Sequence, residues 1–594
     1  MVRKIGRSPK RWFILVLRLV AAVLCSGAGS LLAQASQPVE AGIRDFNFGT
    51  TVSATPTGEK PESKLWWNDG SWWGSLWSEA DLKYHLFRLD VPTQSWIDTG
   101  TALDDRRNSK ADALWDPVQG KLYLASHVFT TNAVPQTGSA QWGRLYRYSY
   151  DAGLKTYSID AGFPVTITQG NAETLTVARD SSGRLWATWV ESAKVMVNRS
   201  IAGDLDWGAP LVLPVSAEAA SVTTDDLSTI IAFGGNAVGV LWSNTATQRF
   251  YFSTHRDGDP DSDWQREEAV LPDLNCPGAC VDDHLSLKTD ATGRLYAAVK
   301  TALNDLTDPD PDAPLILLLV REPSGTWSSH VFARVQDKHT RPIVLLDEEN
   351  SDVYLFATRP ETGESIYYKR SALASISFEP GLGTPFIKSS SDTTINNATS
   401  TKQNLNPTTG LVVLASDQNT RFYLHNFLRL QSQKPVITSF SPTSGPVGTE
   451  VTITGSSFTG AVDVAFNGTP ASFEVGSSTQ ISTRVPNGAT TGKISVNNAA
   501  GTAVSDGVFR VTHPPVISSF TPTRGLPGTP VSINGSRFTG VTEVAFNGVP
   551  ARSFVLINDT WIVAVVPLGA TTGKIGVTTP EGTGLSASVF TVGL

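Results

Sequence analysis

A short motif that returns every 50 to 63 residues constrains this chain more than any other feature. It is clearest in Asp116-Pro-Val-Gln-Gly-Lys-Leu-Tyr-Leu-Ala125, Asp180-Ser-Ser-Gly-Arg-Leu-Trp-Ala-Thr-Trp189 and Asp290-Ala-Thr-Gly-Arg-Leu-Tyr-Ala-Ala-Val299. Each copy is a small or polar turn feeding an apolar strand. Looser copies start their strands at Trp72, Val240, Val353 and Leu411, so the landmarks Trp72, Leu122, Leu185, Val240, Leu295, Val353 and Leu411 lie 50, 63, 55, 55, 58 and 58 residues apart. A fixed period of this length marks a repeat architecture.

A period near 57 holds four short strands with their turns, and the third repeat supplies them at Thr174 to Ala178, Leu185 to Val190, Val195 to Arg199 and Pro210 to Pro214. Four-stranded sheets repeated radially make a β-propeller. Seven landmarks predict seven blades over residues 36–432. The last repeat is short of one strand, and Ile43 to Thr50 is expected to supply it, pairing the two ends of the ring and removing exposed sheet edges. The 50 Gly, 35 Pro and 16 Trp, with no sustained helical periodicity, agree with an all-β chain. Trp66, Trp67, Trp72, Trp73 and Trp77 fall in one repeat. Such a cluster either stacks on sugar or packs between blades; adjacent pairs point to opposite faces of a strand, which favours packing.

Residues 1–35 read as a signal peptide: Arg3, Lys4, Arg7, Lys10 and Arg11, an apolar stretch from Trp12 to Leu24 that Arg18 interrupts, then small residues ending Ala33-Gln34-Ala35. Cleavage near Ala35 predicts a secreted, periplasmic or cell-surface protein. An uncleaved anchor is the alternative. No later apolar run has the ~18 residues of a membrane helix. With Cys25 in the leader, only Cys276 and Cys280 remain, flanking Pro277-Gly278-Ala279. An exported chain with this spacing predicts a local Cys276–Cys280 disulfide. Asp282, Asp283 and His284 follow closely, but two Cys and one His make a weak zinc pattern, and neither a metal nor a cofactor is assigned.

From Pro435 the texture changes to Val-Thr-Ile strands separated by Gly, Pro and Asn turns, which indicates small β-sandwiches. Pro435-Val-Ile-Thr-Ser-Phe-Ser-Pro-Thr-Ser-Gly-Pro-Val-Gly-Thr449 resembles the start of an IPT/TIG domain and recurs from Pro515. Gly455-Ser-Ser-Phe-Thr-Gly460 is matched by Gly535-Ser-Arg-Phe-Thr-Gly540, and Ala465-Phe-Asn-Gly468 by Ala545-Phe-Asn-Gly548. The resemblance implies two immunoglobulin-like domains, 435–512 and 514–594, used in binding, spacing or dimerisation and bringing no catalytic residues. More loosely, Asp282-Asp-His-Leu-Ser-Leu-Lys288 and His339-Thr-Arg-Pro-Ile-Val-Leu-Leu-Asp347 resemble a group of uncharacterised exported bacterial propeller proteins, which implies architecture and no activity.

A net charge of −8 without a basic block argues against a nucleic-acid partner. No G-x-S-x-G, H-E-x-x-H, P-loop or dinucleotide glycine pattern occurs, nor a sialidase Ser-x-Asp-x-Gly-x-Thr-Trp box. Instead a polar cluster precedes the expected innermost strand of successive repeats: Arg106, Arg107, Lys110 and Asp112; Glu173; Asp225 and Asp226; Asp282, Asp283 and His284; Lys338, His339 and Arg341; Lys402. These are expected to converge on one mouth of the channel. There they either pair with one another or hold a polar ligand. Two functions follow. The preferred one is a non-catalytic binding or adhesion protein that engages a polysaccharide or cell-surface partner at the mouth, with the sandwiches as stalk. The alternative is a glycoside hydrolase or polysaccharide lyase working through His284, His339, Arg341 and an acidic neighbour.

Overall fold

The structure, a computed structural model, describes residues 36–58, 60–270 and 279–593. The signal-peptide reading of 1–35 and Cys276 lie outside the described residues. The described chain is built almost wholly of strands, and no helix in it is long and apolar enough to cross a membrane.

Strands between Gln37 and Leu428 form seven antiparallel sheets. Their first strands are Leu65–Asn68, Ser109–Asp116, Thr176–Arg179, Ser228–Phe233, Leu285–Thr289, Thr340–Asp347 and Ile395–Thr399. The repeat landmarks all fall on the second strand of each sheet, as in Lys121–Val128 and Leu185–Glu191. The Asp-to-Gly turn that made the period visible, with two or three residues between, therefore joins the first strand to the second. In Asp180-Ser-Ser-Gly183 the Asp180 carboxylate accepts from Arg184 N at 2.8 Å, and Gly183 takes a φ of 88° that a side chain would strain.

Successive sheets are joined through their first strands or the residues that flank them. Ala113 N donates to Ser63 O at 2.8 Å, Val177 N to Asp112 Oδ2 at 2.9 Å, and Ile230 N to Thr176 Oγ1 at 3.2 Å. Val344 N donates to Ser286 Oγ, Leu405 N to Leu346 O, and Lys64 N to Thr399 Oγ1. The fourth and fifth first strands pack directly. The order thus returns from the seventh sheet to the first. Ile43–Asn47 pairs antiparallel with Phe422–Leu428, so the seventh sheet is completed by the N-terminal strand, with Ile43 opposite His425. Trp66, Trp72, Trp73 and Trp77 are buried. Trp66 Nε1 donates to Tyr157 OH in the second sheet, and Trp72 Nε1 to Thr409 O in the seventh, so these rings fill the gaps between sheets.

Beyond Lys434 the chain forms two copies of one sandwich. In the first, a four-stranded sheet (Val436–Ser441, Glu450–Ser456, Gln480–Arg484, Phe473–Ser477) packs on a five-stranded one ordered Ser444–Gly445, Gly501–Val511, Gly492–Asn498, Asp463–Phe466, Thr469–Pro470. Each copy buries its own core: Val451, Ile453, Phe458, Phe466 and Phe509 in the first, and Val531, Ile533, Phe538, Phe546 and Phe590 in the second. A separately expressed fragment 435–594 is accordingly expected to give β-type circular dichroism and cooperative unfolding. A disordered spectrum would contradict it.

Candidate functional site

The first strands surround an axial cavity of about 210 Å³, lined by Leu114, Val177, Thr229, Ser286 and Val344 of five first strands and by Ser63 and Ser400, which flank the first strands of the first and seventh sheets. Three layers of charge lie along or beside it.

At the end where most first strands begin, Glu173, Asp225 and the run Asp282-Asp283-His284 come together. The centre of this group is Lys60, whose ammonium bridges Glu173 Oε1 at 3.1 Å and the Asp283 carboxylate. His284 Nδ1 meets Asp283 Oδ1 at 2.7 Å and also the Asp282 carboxylate, while its Nε2 lies 3.4 Å from Thr340 Oγ1. Lys300 Nζ pairs with Asp282 and lies 3.5 Å from Glu361 Oε1. Burial would raise Asp283, but the charges of His284 and Lys60 outweigh it and hold the carboxyl well below its usual range. Burial lowers His284, and Asp283 and Asp282 outweigh it, raising the imidazole. Asp225, exposed at the rim, is raised by partial burial and by the Asp283 charge. Two triads of ligand-type groups occur here, Asp282/Asp283/His284 and Glu173/Asp225/Asp283, but the Lys60 ammonium supplies the cation between Glu173 and Asp283.

The second layer lies under the mouth. Glu62 is fully buried and accepts from His127 Nε2 at 2.5 Å, Lys64 Nζ at 2.6 Å and Leu175 N at 3.0 Å. Deeper still, Asp112 is fully buried, accepts from Ser63 N and Val177 N at 2.9 Å, and takes the Lys402 ammonium at 2.5 Å. Lys288, 4% exposed, donates to Thr401 O.

Several sequence-predicted residues stand elsewhere. Lys402 follows the seventh first strand instead of preceding it, because the landmark at Leu411 marks a second strand; its side chain reaches across to Asp112 and Val177 O. Asp226 is a loop staple, accepting from Thr223 N at 2.7 Å and Thr245 N at 3.0 Å. Lys110 binds the N-terminal segment at Ser53 and Thr55, and Arg106 pairs with Asp104 at 2.6 Å; Arg107 is exposed beside it. His339 is buried against the rings of Phe332 and Tyr367, with centroids at 5.7 and 5.9 Å, and burial pushes it down to about 4. It is neutral at pH 7. Lys338 is exposed, and Arg341 Nη1 donates to Glu361 O at 3.3 Å. Sequence reasoning missed Lys60, Glu62, Lys64, His127, Lys288 and Lys300. The alternating Lys60-Pro61-Glu62-Ser63-Lys64 ahead of a strand was the available signal.

The geometry of the C-terminal sandwiches agrees with a family match: residues 435–511 and 515–592 each match the IPT/TIG domain. The chain carries two tandem IPT/TIG domains. They are not equivalent on the surface. The outer face of the four-stranded sheet in the first IPT/TIG domain carries Glu450, Thr452, Glu474, Gln480, Ser482 and Arg484, with Glu450 opposite Arg484. In the second IPT/TIG domain Pro530, Ser532, Val555, Trp561, Val563 and Val565 stand at those places, with Pro530 opposite Val565. No curated protein matches the chain. Among solved structures, it is similar to SGBP-B from a xyloglucan utilization locus of Bacteroides uniformis (21% identity, 26% of this chain, 49% of that chain, TM-score 0.13). It is also similar to the surface glycan-binding protein PbSGBP-B of Prevotella bryantii (19%, 27%, 43%, TM-score 0.16). A fungal alcohol oxidase of the AA5 family in complex with copper aligns over 81% of this chain and 100% of that one, at 12% identity and a TM-score of 0.39. The chain thus spans under half the length of the first two, and at these TM-scores none of the three bears on function.

Proposed function

We propose that this is an exported, non-catalytic binding protein: a seven-bladed β-propeller over residues 36–432 that engages a polyhydroxylated ligand such as a polysaccharide at its charged mouth, with the IPT/TIG pair as stalk. The propeller reading is supported by the ring order of the first strands and by the pairing of Ile43–Asn47 with Phe422–Leu428. Signal-peptide cleavage near Ala35 and a Cys276–Cys280 disulfide bordering the mouth belong to the same proposal.

The observation that carries the non-catalytic reading is the closed ion network Glu173–Lys60–Asp283–His284–Asp282–Lys300. Its carboxylates are neutralised by neighbouring cations, whereas a glycosidase needs an acid and a base held apart across a substrate. The set His284, His339 and Arg341 is not assembled either, since His339 is packed among aromatic rings and Arg341 meets a backbone carbonyl. What the mouth offers is a fixed pattern of donors and acceptors, suited to hydroxyl groups. Glycan-array binding combined with an assay for reducing ends and unsaturated products tests this. Binding without product is expected, with Asp225→Ala weakening it about tenfold or more, the loss of one charge-assisted hydrogen bond. Product at catalytic turnover, or an Asp225→Ala variant that binds as wild type does, would overturn the reading.

A further inference from the structure

We propose that the axial cavity is a binding site for a small carboxylate anion, with Lys288 as its principal ligand. This site lies inside the ring beneath the mouth and shares Lys60 with it, but the proposal does not depend on what the mouth binds.

The argument is one of charge balance. The residues lining the cavity include four cationic side chains, Lys60, Arg179, Lys288 and Lys402, and one carboxylate, Glu62. Glu62 is engaged by Lys64 and His127. Lys60 is neutralised by Glu173 and Asp283, Arg179 by Asp116 at 2.7 Å, and Lys402 by Asp112 at 2.5 Å. Lys288 is the one left over. Among the described residues it forms no ion pair; it donates to Thr401 O, and an ammonium has two further protons to place at the wall of this cavity. A buried ammonium that meets only a carbonyl is poorly compensated. The Lys402 charge depresses Lys288 electrostatically, and Asp112, which pairs with Lys402, offsets that only in part.

Size fixes the class of ligand. About 210 Å³ is below the roughly 300 Å³ at which drug-sized ligand pockets begin. At about 30 Å³ per water it holds roughly seven water molecules, room for one small anion and not for a polysaccharide chain. Of the small anions, a carboxylate offers two oxygens that can meet the Lys288 and Lys402 ammonium groups together in charge-assisted hydrogen bonds.

The test is the thermal midpoint of the ring, followed by Trp fluorescence, as sodium acetate is raised in a zwitterionic buffer, for wild type and Lys288→Met. Above its dissociation constant a specific ligand should lift the wild-type midpoint by about 1–2 °C per tenfold in acetate, given a ring of this size. The variant should show only the general salt response. Parallel slopes in the two proteins would overturn the proposal.

Discussion

Replacing Glu62 by alanine is expected to cost the ring about 3–5 kcal/mol, the range for removing one partner of a buried ion pair. The substitution strands the Lys64 ammonium and the Leu175 N–H in the interior and leaves His127 Nε2 without its carboxylate. Urea unfolding followed by Trp fluorescence reads the effect in the ring, because of the 16 tryptophans only Trp12 and Trp561 lie outside it. The same residue predicts an acid limb. Burial would raise the Glu62 carboxyl, but Lys64 and His127 outweigh it and hold it at about 2, against an ordinary 4.5. Between those values the unfolded chain binds the proton and the folded chain does not, so stability falls as pH falls. The contribution of about 3 kcal/mol is complete above pH ~4.5 and lost on approaching pH ~2. Glu62→Gln, which cannot titrate, should show a correspondingly flatter profile between pH 5 and 2. A change below about 1 kcal/mol for Glu62→Ala would mean that the network under the mouth is not formed.

Lys288→Met is expected to act in the opposite direction. Burial, then the Lys402 charge, push Lys288 down to about 7 from 10.5, with Asp112 opposing only in part. Between pH ~7 and ~10.5 the unfolded chain holds the proton that the folded chain has released, so wild-type stability rises with pH across this window. Below pH ~7 the penalty is at its full value, about 4–5 kcal/mol for a shift of this size. Methionine occupies a similar volume without the charge and forfeits only the hydrogen bond to Thr401 O, worth about 1 kcal/mol. In anion-free buffer the variant should therefore be more stable by about 2–4 kcal/mol at pH 7, with the difference closing toward pH 10.5. Equal stabilities throughout that window would show that Lys288 is solvated.

Much of the architecture was written locally. The Asp-to-Gly turns are set by neighbours within four residues, so their period could be counted, and the strand read as Leu185 to Val190 is found at Leu185–Glu191. The two IPT/TIG domains were legible because each repeats the same turn and core residues 80 positions apart. The charge network was only half legible. Asp282, Asp283 and His284 announced themselves as a run, whereas Lys60 meets Asp283 across 223 positions of sequence, a pairing that only the closed ring creates. His339 misled for a local reason. The short 3-10 turn Val335–Asp337 and the left-handed Lys338 (φ 57°) redirect the chain just before it, so its ring turns to Phe332 and Tyr367. Nothing in the composition of Lys338-His339-Thr340-Arg341 distinguishes that outcome from an axial one.

The junction between Ile43–Asn47 and Phe422–Leu428 also sets the order in which the protein can be finished. His425 reaches Asp45 across 380 positions, so the strand Ile43–Asn47 must wait for a ring partner made some 380 residues later. At about 5–20 residues per second, that strand must wait roughly 20–80 seconds during synthesis. Throughout that interval its backbone N–H and C=O groups are an open template for any passing edge. The ring behaves as a clasp whose hook is made before the band, and the time before fastening is when the chain is most exposed to mispairing.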